Sequence, residues 1–221
     1  MLKTKSLHYA YNHHQKFHFP DFEVRDNENM LILGESGIGK TTLLHVLAGL
    51  LKPVSGSIQL DSTDFTKLSS GQLDRFRGNN IGIVFQRPRF IHSLTLEENL
   101  HLVQYLANKN RSSQRLTEVL NRLGIGRHRK ASPHRLSQGE QQRAAIALAL
   151  VNQPRLILAD EPTSSLDDNN CSIVSDLLLE QASATQAMLV VITHDQRLKE
   201  VFNNKLELSN SNTLAPLQQV R

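Results

Sequence analysis

The stretch that most constrains this 221-residue chain is Gly34-Glu-Ser-Gly-Ile-Gly-Lys40-Thr41. It fits the spacing G-x-x-x-x-G-K-[ST]. It lies between an apolar run, Met30 to Leu33, and a helical pattern in which Leu43, Leu44 and Leu47 recur before Gly49. A strand that runs through a glycine-rich turn into a helix is the setting in which this spacing grips phosphate. Glycines at 34, 37 and 39 let backbone N–H groups turn inward around phosphate oxygens. The following helix points its positive end at the same oxygens. Lys40 supplies a point charge for the β- and γ-phosphates, and the Thr41 hydroxyl is placed to ligate Mg²⁺. Glu35, Ser36 and Ile38 within the loop, and Thr42 just beyond it, count as contacts of the same nucleotide. A chance glycine turn containing a lysine would leave the strand and helix on either side unexplained. The loop therefore binds a nucleoside triphosphate, but by itself it does not name a reaction.

Further apolar runs, Ile81 to Phe85, Leu156 to Ala159 and Leu189 to Ile192, read as buried strands bounded by polar residues or glycine. Helical patterns lie between them; one carries Leu116, Val119, Leu120 and Leu123 and stops at Gly124. Alternating strands and helices predict an α/β core with a mainly parallel sheet. Residues 93–152 show no convincing strand and open on Thr95-Leu-Glu-Glu98, a capping box ahead of an amphipathic run. They read as a helical lobe inserted into a core made of 1–92 and 153–208. The tail 209–221, rich in Asn, Ser and Gln, reads as loosely ordered.

Composition narrows the class. A single cysteine, Cys171, rules out an internal disulfide and suits a reducing compartment. No motif surrounds it, so it reads as a small helix side chain rather than a reactive thiol. Met1 to Ser6 does not resemble a secretory signal, and no apolar window approaches the ~20 residues of a spanning helix. The formal charge of +4 is a modest basic excess. Its densest cluster, Arg127 to Lys130, reads as a solvated turn. His8, His13, His14 and His18 lack metal-ligand spacing.

A second acidic strand sharpens the chemistry. Leu156-Ile-Leu-Ala-Asp160-Glu161 is apolar until two acids end it, and ligands of open parallel sheets bind beyond the carboxyl ends of the strands. Asp160 is expected to face the phosphate loop and hold Mg²⁺ through water. Glu161 is the candidate general base for an attacking water. Pro162 argues against Glu161 simply beginning a helix.

Leu136-Ser-Gln-Gly-Glu140, followed by Gln141-Gln142-Arg143, looks like the LSGGQ signature of the ATP-binding cassette (ABC) ATPases. The chain resembles that family over nearly its whole length. Ser137 to Glu140 is also a capping box for the helix that follows, but a plain helix start does not explain Gly139 or its place before the acidic strand. The resemblance implies a P-loop core with an antiparallel β portion near the N-terminus. It also implies ATP and Mg²⁺ as ligands, and γ-phosphate contact by Ser137 and Gly139 of a second copy. Gln86 matches the Q-loop that senses Mg²⁺ and water. Ser164-Ser-Leu-Asp167 matches the D-loop, with Asp167 near the nucleotide, and His194 matches the switch histidine at the γ-phosphate. Tyr11 is the candidate adenine-stacking ring, with Tyr9 as a rival.

Two signature positions depart from the family: Gln138 replaces the first glycine, and Glu140 replaces glutamine. Leu148 and Asn27-Glu-Asn29 also differ from the customary residues. Ile81 to Gln86, Leu94 to Asn99 and Leu158 to Thr163 look most like the bacterial subfamily of lipoprotein release, macrolide export and cell division. The resemblance implies an ATP hydrolase that pairs as a homodimer or with a sister subunit. It would sit at the cytoplasmic face of the inner membrane and drive a permease made by another chain, with no nucleic acid partner. Nucleic-acid or ribosome-linked ABC ATPases are the competing class, yet they usually add coiled coils, zinc modules or a second cassette. A non-catalytic ATP sensor is the third reading, against which stand Lys40, Asp160, Glu161 and His194.

Overall fold

The computed structural model describes residues 1–12, 15–164 and 167–209. His13, His14, the two central residues of the D-loop-like run, and all of the tail after residue 209 lie outside the described residues.

The amino-terminal part pairs β1 (Leu2–Ala10) with β2 (Lys16–His18), β3 (Glu23–Val24) and β5 (Ser55–Leu60), all antiparallel. β6 (Thr63–Asp64) extends this sheet beyond β5. The second sheet is entirely parallel. Its order is β10 (Asn204–Glu207), β4 (Asn29–Leu33), β9 (Met188–Thr193), β8 (Leu156–Asp160) and β7 (Ile81–Val84). Its central strands are continuous apolar runs because both faces are covered.

Alternation along those strands sorts the core into two clusters. Leu31, Leu33, Ile157, Ala159, Leu189 and Val191 face one side, with Ala144 to Val151 and Val174, Leu178 and Ala182. Those covering residues belong to α5 (Gln138–Leu150), its C-terminal extension and α6 (Asp168–Thr185). Met30, Ile32, Leu156, Leu158, Val190 and Ile192 face the other side, against α1 (Lys40–Leu47) and the antiparallel sheet. α1 is thus sandwiched between two sheets, and the phosphate loop enters it from β4.

α2 (Ser70–Asn80) precedes β7, and α3 (Leu96–Leu106) and α4 (Ser113–Arg122) follow it. No strand occurs between 93 and 152 among the described residues. Thr95 caps α3 reciprocally: Glu98 Oε2 accepts from the Thr95 N–H at 2.7 Å, and Thr95 Oγ1 accepts from the Glu98 N–H at 3.3 Å. α5 lies so tightly on β7 that a Cβ at Gly82 would sit 2.3 Å from the Ala149 carbonyl oxygen. Only glycine fits beneath that helix, which ties the signature-bearing α5 to the strand leading to Gln86.

Candidate active site

The loop between β4 and α1 turns through Gly37 at φ 84° and Gly39 at φ 102°, a region L-residues avoid. A Cβ at Gly39 would lie 2.6 Å from Phe17 Cδ1. Phe17, on β2, stacks parallel to Phe19 and meets the Tyr11 ring edge-on at 6.2 Å. An aromatic wall from the antiparallel sheet therefore backs the loop.

Lys40 opens α1 with a nearly buried side chain. Its Nζ donates to the Gly34 and Glu35 carbonyls at 2.8 and 3.0 Å and lies 3.7 Å from Glu161 Oε1. A buried ammonium tethered by carbonyls and one carboxylate is placed to receive an anion. The next residue, Thr41, donates its hydroxyl to Asp160 Oδ1 at 3.4 Å. Burial pushes the Asp160 carboxyl above the ordinary carboxylate range, while the Thr41 hydroxyl works against that shift. Hydroxyl and carboxylate oxygens side by side are the hard donors that Mg²⁺ takes. Loop, lysine and donor pair therefore fit a magnesium nucleoside triphosphate.

Glu161 follows at φ 48°, a left-handed conformation for a non-glycine residue. Its carboxylate accepts from the Thr193 hydroxyl at 2.7 Å and from the His194 N–H at 3.2 Å, and meets His194 Nδ1 at 2.8 Å. The end of β9 thus fixes the acid that immediately follows β8. Ser164 Oγ donates to the Glu161 carbonyl at 3.2 Å, and Gln86 Nε2 donates to Ser164 Oγ at 3.3 Å.

Several of these groups open on a cavity of about 550 Å³. Of the predicted residues, Tyr11, Ser36, Gly37, Gly39, Lys40, Thr41, Thr42, Gln86, Glu161 and His194 line it. Tyr11 Oη lies 3.3 Å from Thr42 Oγ1. Tyr9 packs against the core and touches Tyr11 edge-on at 4.9 Å, so it does not line the cavity. Gly34, Glu35 and Ile38 border a different hollow beside Leu208. Asp160 stands behind Thr41. Ser137 and Gly139 begin α5 and border neither hollow, nor does Asp167, which follows the undescribed part of its loop. Phe17 and Thr193 escaped the sequence reading. Phe17 sits on a three-residue strand with no motif, while Thr193 could have been suspected from its place beside His194.

The departure at Glu140 has a local account. Glu140 Oε2 accepts from the Ser137 N–H at 2.9 Å and its hydroxyl at 3.0 Å, while Oε1 meets His128 Nε2 at 2.7 Å and Arg127 Nη2 at 3.1 Å. These partners, the Ser137 N–H first, hold the carboxyl down at about 2 from an ordinary 4.5. A depressed carboxyl adds stability above its unfolded value and loses it as the pH falls toward its folded one. Glu140→Gln should therefore weaken the dependence of unfolding midpoint on pH between about 4.5 and 2, where the parent loses this contribution. An unchanged acid-unfolding profile by circular dichroism would show that the cap carries no folding linkage.

A strand–loop–helix phosphate cradle on β4, facing an acid pair at the end of β8 one strand beyond β9, defines a P-loop nucleoside triphosphatase. The family model described as ABC transporter matches residues 17–164. Two curated relatives are both described as "Lipoprotein-releasing system ATP-binding protein LolD". The one from Hydrogenovibrio crunogenus is 39% identical, covering 89% of this chain and 86% of its own length. The one from Legionella pneumophila (strain Paris) is 38% identical, covering 88% and 87%. The dimeric post-hydrolysis structure of the ATP-binding cassette MJ0796, bound to ADP and Pi, superposes with a TM-score of 0.85. It is 30% identical and covers 96% of each chain. The chain belongs to the ABC transporter family. It is an ATP-binding, ATP-hydrolysing cassette. No described helix is long and apolar enough to cross a membrane.

Proposed function

We propose that this chain supplies the ATP-driven step of a lipoprotein-releasing transporter, acting peripherally at the cytoplasmic face of the inner membrane. The observation that carries the hydrolytic reading is the Glu161 carboxylate, fixed by Thr193 and His194 and set 3.7 Å from the Lys40 ammonium. The lipoprotein-releasing systems to which the relatives belong support the choice of cargo.

In this reading the Tyr11 ring stacks on adenine. The loop N–H groups from Gly34 to Thr42 bind the phosphates, and Lys40 turns from its carbonyls to the β- and γ-oxygens. Thr41, Asp160 and Gln86 would hold Mg²⁺, which when bound would supply positive charge to the phosphate oxygens. Glu161 takes the proton of the attacking water. His194 orients that carboxylate and contacts the γ-phosphate. Ser137 and Gly139 of a second copy, at the positive end of α5, close over the same phosphate, and Asp167 reaches across the pair.

The test is reconstitution of the paired cassette with a lipoprotein-release permease made by another chain, in vesicles that carry an acylated lipoprotein. ATP should move the lipoprotein to a soluble acceptor. ATP hydrolysis coupled to the permease with no lipoprotein leaving the vesicles would sink the proposed cargo and leave the ATPase assignment standing.

A further inference from the structure

The chain just after the acid pair is held by groups that lie outside the nucleotide cavity. Thr163 is fully buried, and its hydroxyl donates to Asp195 Oδ2 at 2.9 Å. Asp195 directly follows His194, so one short turn carries both the ring that touches Glu161 and the carboxylate that grips Thr163. Arg197 closes this turn. Its Nε donates to Asp195 Oδ1 at 2.9 Å and its Nη2 to Oδ2 at 2.7 Å, a bidentate fork. Nη2 also reaches the Thr163 carbonyl at 3.5 Å, and Nη1 donates to Asp168 Oδ1 at 2.6 Å on the first residue of α6. The fork holds the Asp195 carboxyl down at about 2, so the clamp is fully charged near neutrality. Gln142, from α5, donates to the Pro162 carbonyl at 3.2 Å and completes the enclosure.

Such fastening needs a reason, and stability is a poor one. Arg197 and Asp168 are 38% and 91% exposed, and exposed pairs contribute little to folding. Glu161 offers a better reason. A non-glycine residue in the left-handed region persists only where its surroundings over-determine it. Upstream, the Glu161 N–H is anchored on the Ile192 carbonyl at 2.8 Å. Downstream, the first side-chain anchor to β9's exit turn is the Thr163 hydroxyl on Asp195.

We propose that Thr163, Asp195 and Arg197 are positioning residues for hydrolysis, a clamp that ties Thr163, two residues after Glu161, to the turn carrying His194 and thereby aims the Glu161 carboxylate. The clamp rests on the reading of Glu161 as the general base. It makes no contact with the nucleotide cavity, so its loss should alter turnover and spare ATP affinity.

The experiment measures kcat and ATP Kd for Arg197→Ala, Arg197→Lys and Thr163→Val, alone and combined with Glu161→Gln. Arg197→Ala should lower kcat about tenfold, with Kd within about twofold, because small misplacements of a reacting group cost rate rather than binding. Arg197→Lys keeps one ion pair but cannot span both acids, so it should fall between. Thr163→Val removes only the donor hydroxyl and should act in the same direction, which keeps the test open if Arg197→Ala folds poorly. In the Glu161→Gln background none of these changes should alter the slow residual rate. A kcat within about twofold of the parent for both Arg197→Ala and Thr163→Val would overturn the clamp, as would an equal loss in the Glu161→Gln background. Normal turnover by Glu161→Gln alone would instead refute the base assignment, which separates the two failures.

Discussion

Glu161→Gln is expected to bind ATP with a Kd close to the parent's and to hydrolyse it about a thousandfold more slowly, the middle of the range for a general base. The change is nearly isosteric. Glutamine's carbonyl oxygen can still accept from the Thr193 hydroxyl, which now reaches Glu161 Oε2 at 2.7 Å. What disappears is the basic oxygen that meets His194 Nδ1 at 2.8 Å. Lys40 also loses a carboxylate 3.7 Å away, and its two carbonyl partners remain. Phosphate-binding groups are otherwise untouched, so affinity should hold. Single-turnover phosphate release and equilibrium ATP binding read the two effects separately. Because the slow variant retains its ATP, it should also accumulate as a dimer in sedimentation. Turnover within tenfold of the parent would place the base elsewhere.

The sequence made the centre of this site legible because each of its parts is a local pattern. Gly34 to Thr41 and Asp160-Glu161 each combine a spacing with a recognisable strand end or helix start, as does the box from Ser137 to Glu140, which borders neither hollow. The central parallel strands were legible for the same reason: burial on both faces leaves continuous apolar runs. β10 was not legible, because an edge strand with half-exposed residues gives Asn204-Lys-Leu-Glu207 no apolar run. The antiparallel sheet was expected from the family resemblance, but its individual strands left little pattern. β2 has three residues and β3 two, and a bulge between Lys5 and His8 breaks the alternation of β1. Partnerships that depend on tertiary approach also stayed hidden. Nothing in Phe17 announces that it backs the phosphate loop, and nothing in Arg197 announces Asp168, which is 29 positions away.

That hidden partnership sets up the second large effect. Gly39→Ala should weaken ATP binding about a hundredfold while leaving most of the fold intact. Two costs combine. At φ 102° an L-residue is strained by about 1–2 kcal/mol. The new methyl would also meet Phe17 at 2.6 and 2.8 Å, and forcing an extra carbon into a packed wall typically costs about 1–3 kcal/mol. The loop can escape both only by giving up the turn that aims its N–H groups. A penalty near 3 kcal/mol corresponds to about two orders of magnitude in affinity. Phe17→Ala in the same chain removes the collision but not the backbone strain. The double variant should therefore bind ATP about tenfold more tightly than Gly39→Ala alone, as measured by titration calorimetry. Phe17→Ala by itself serves as the reference for the lost aromatic wall. Equal affinity for Gly39→Ala with and without Phe17 would assign the whole effect to the backbone. Parent-like binding by Gly39→Ala would mean that the loop grips phosphate in a turn other than the one that holds Gly39 at φ 102°.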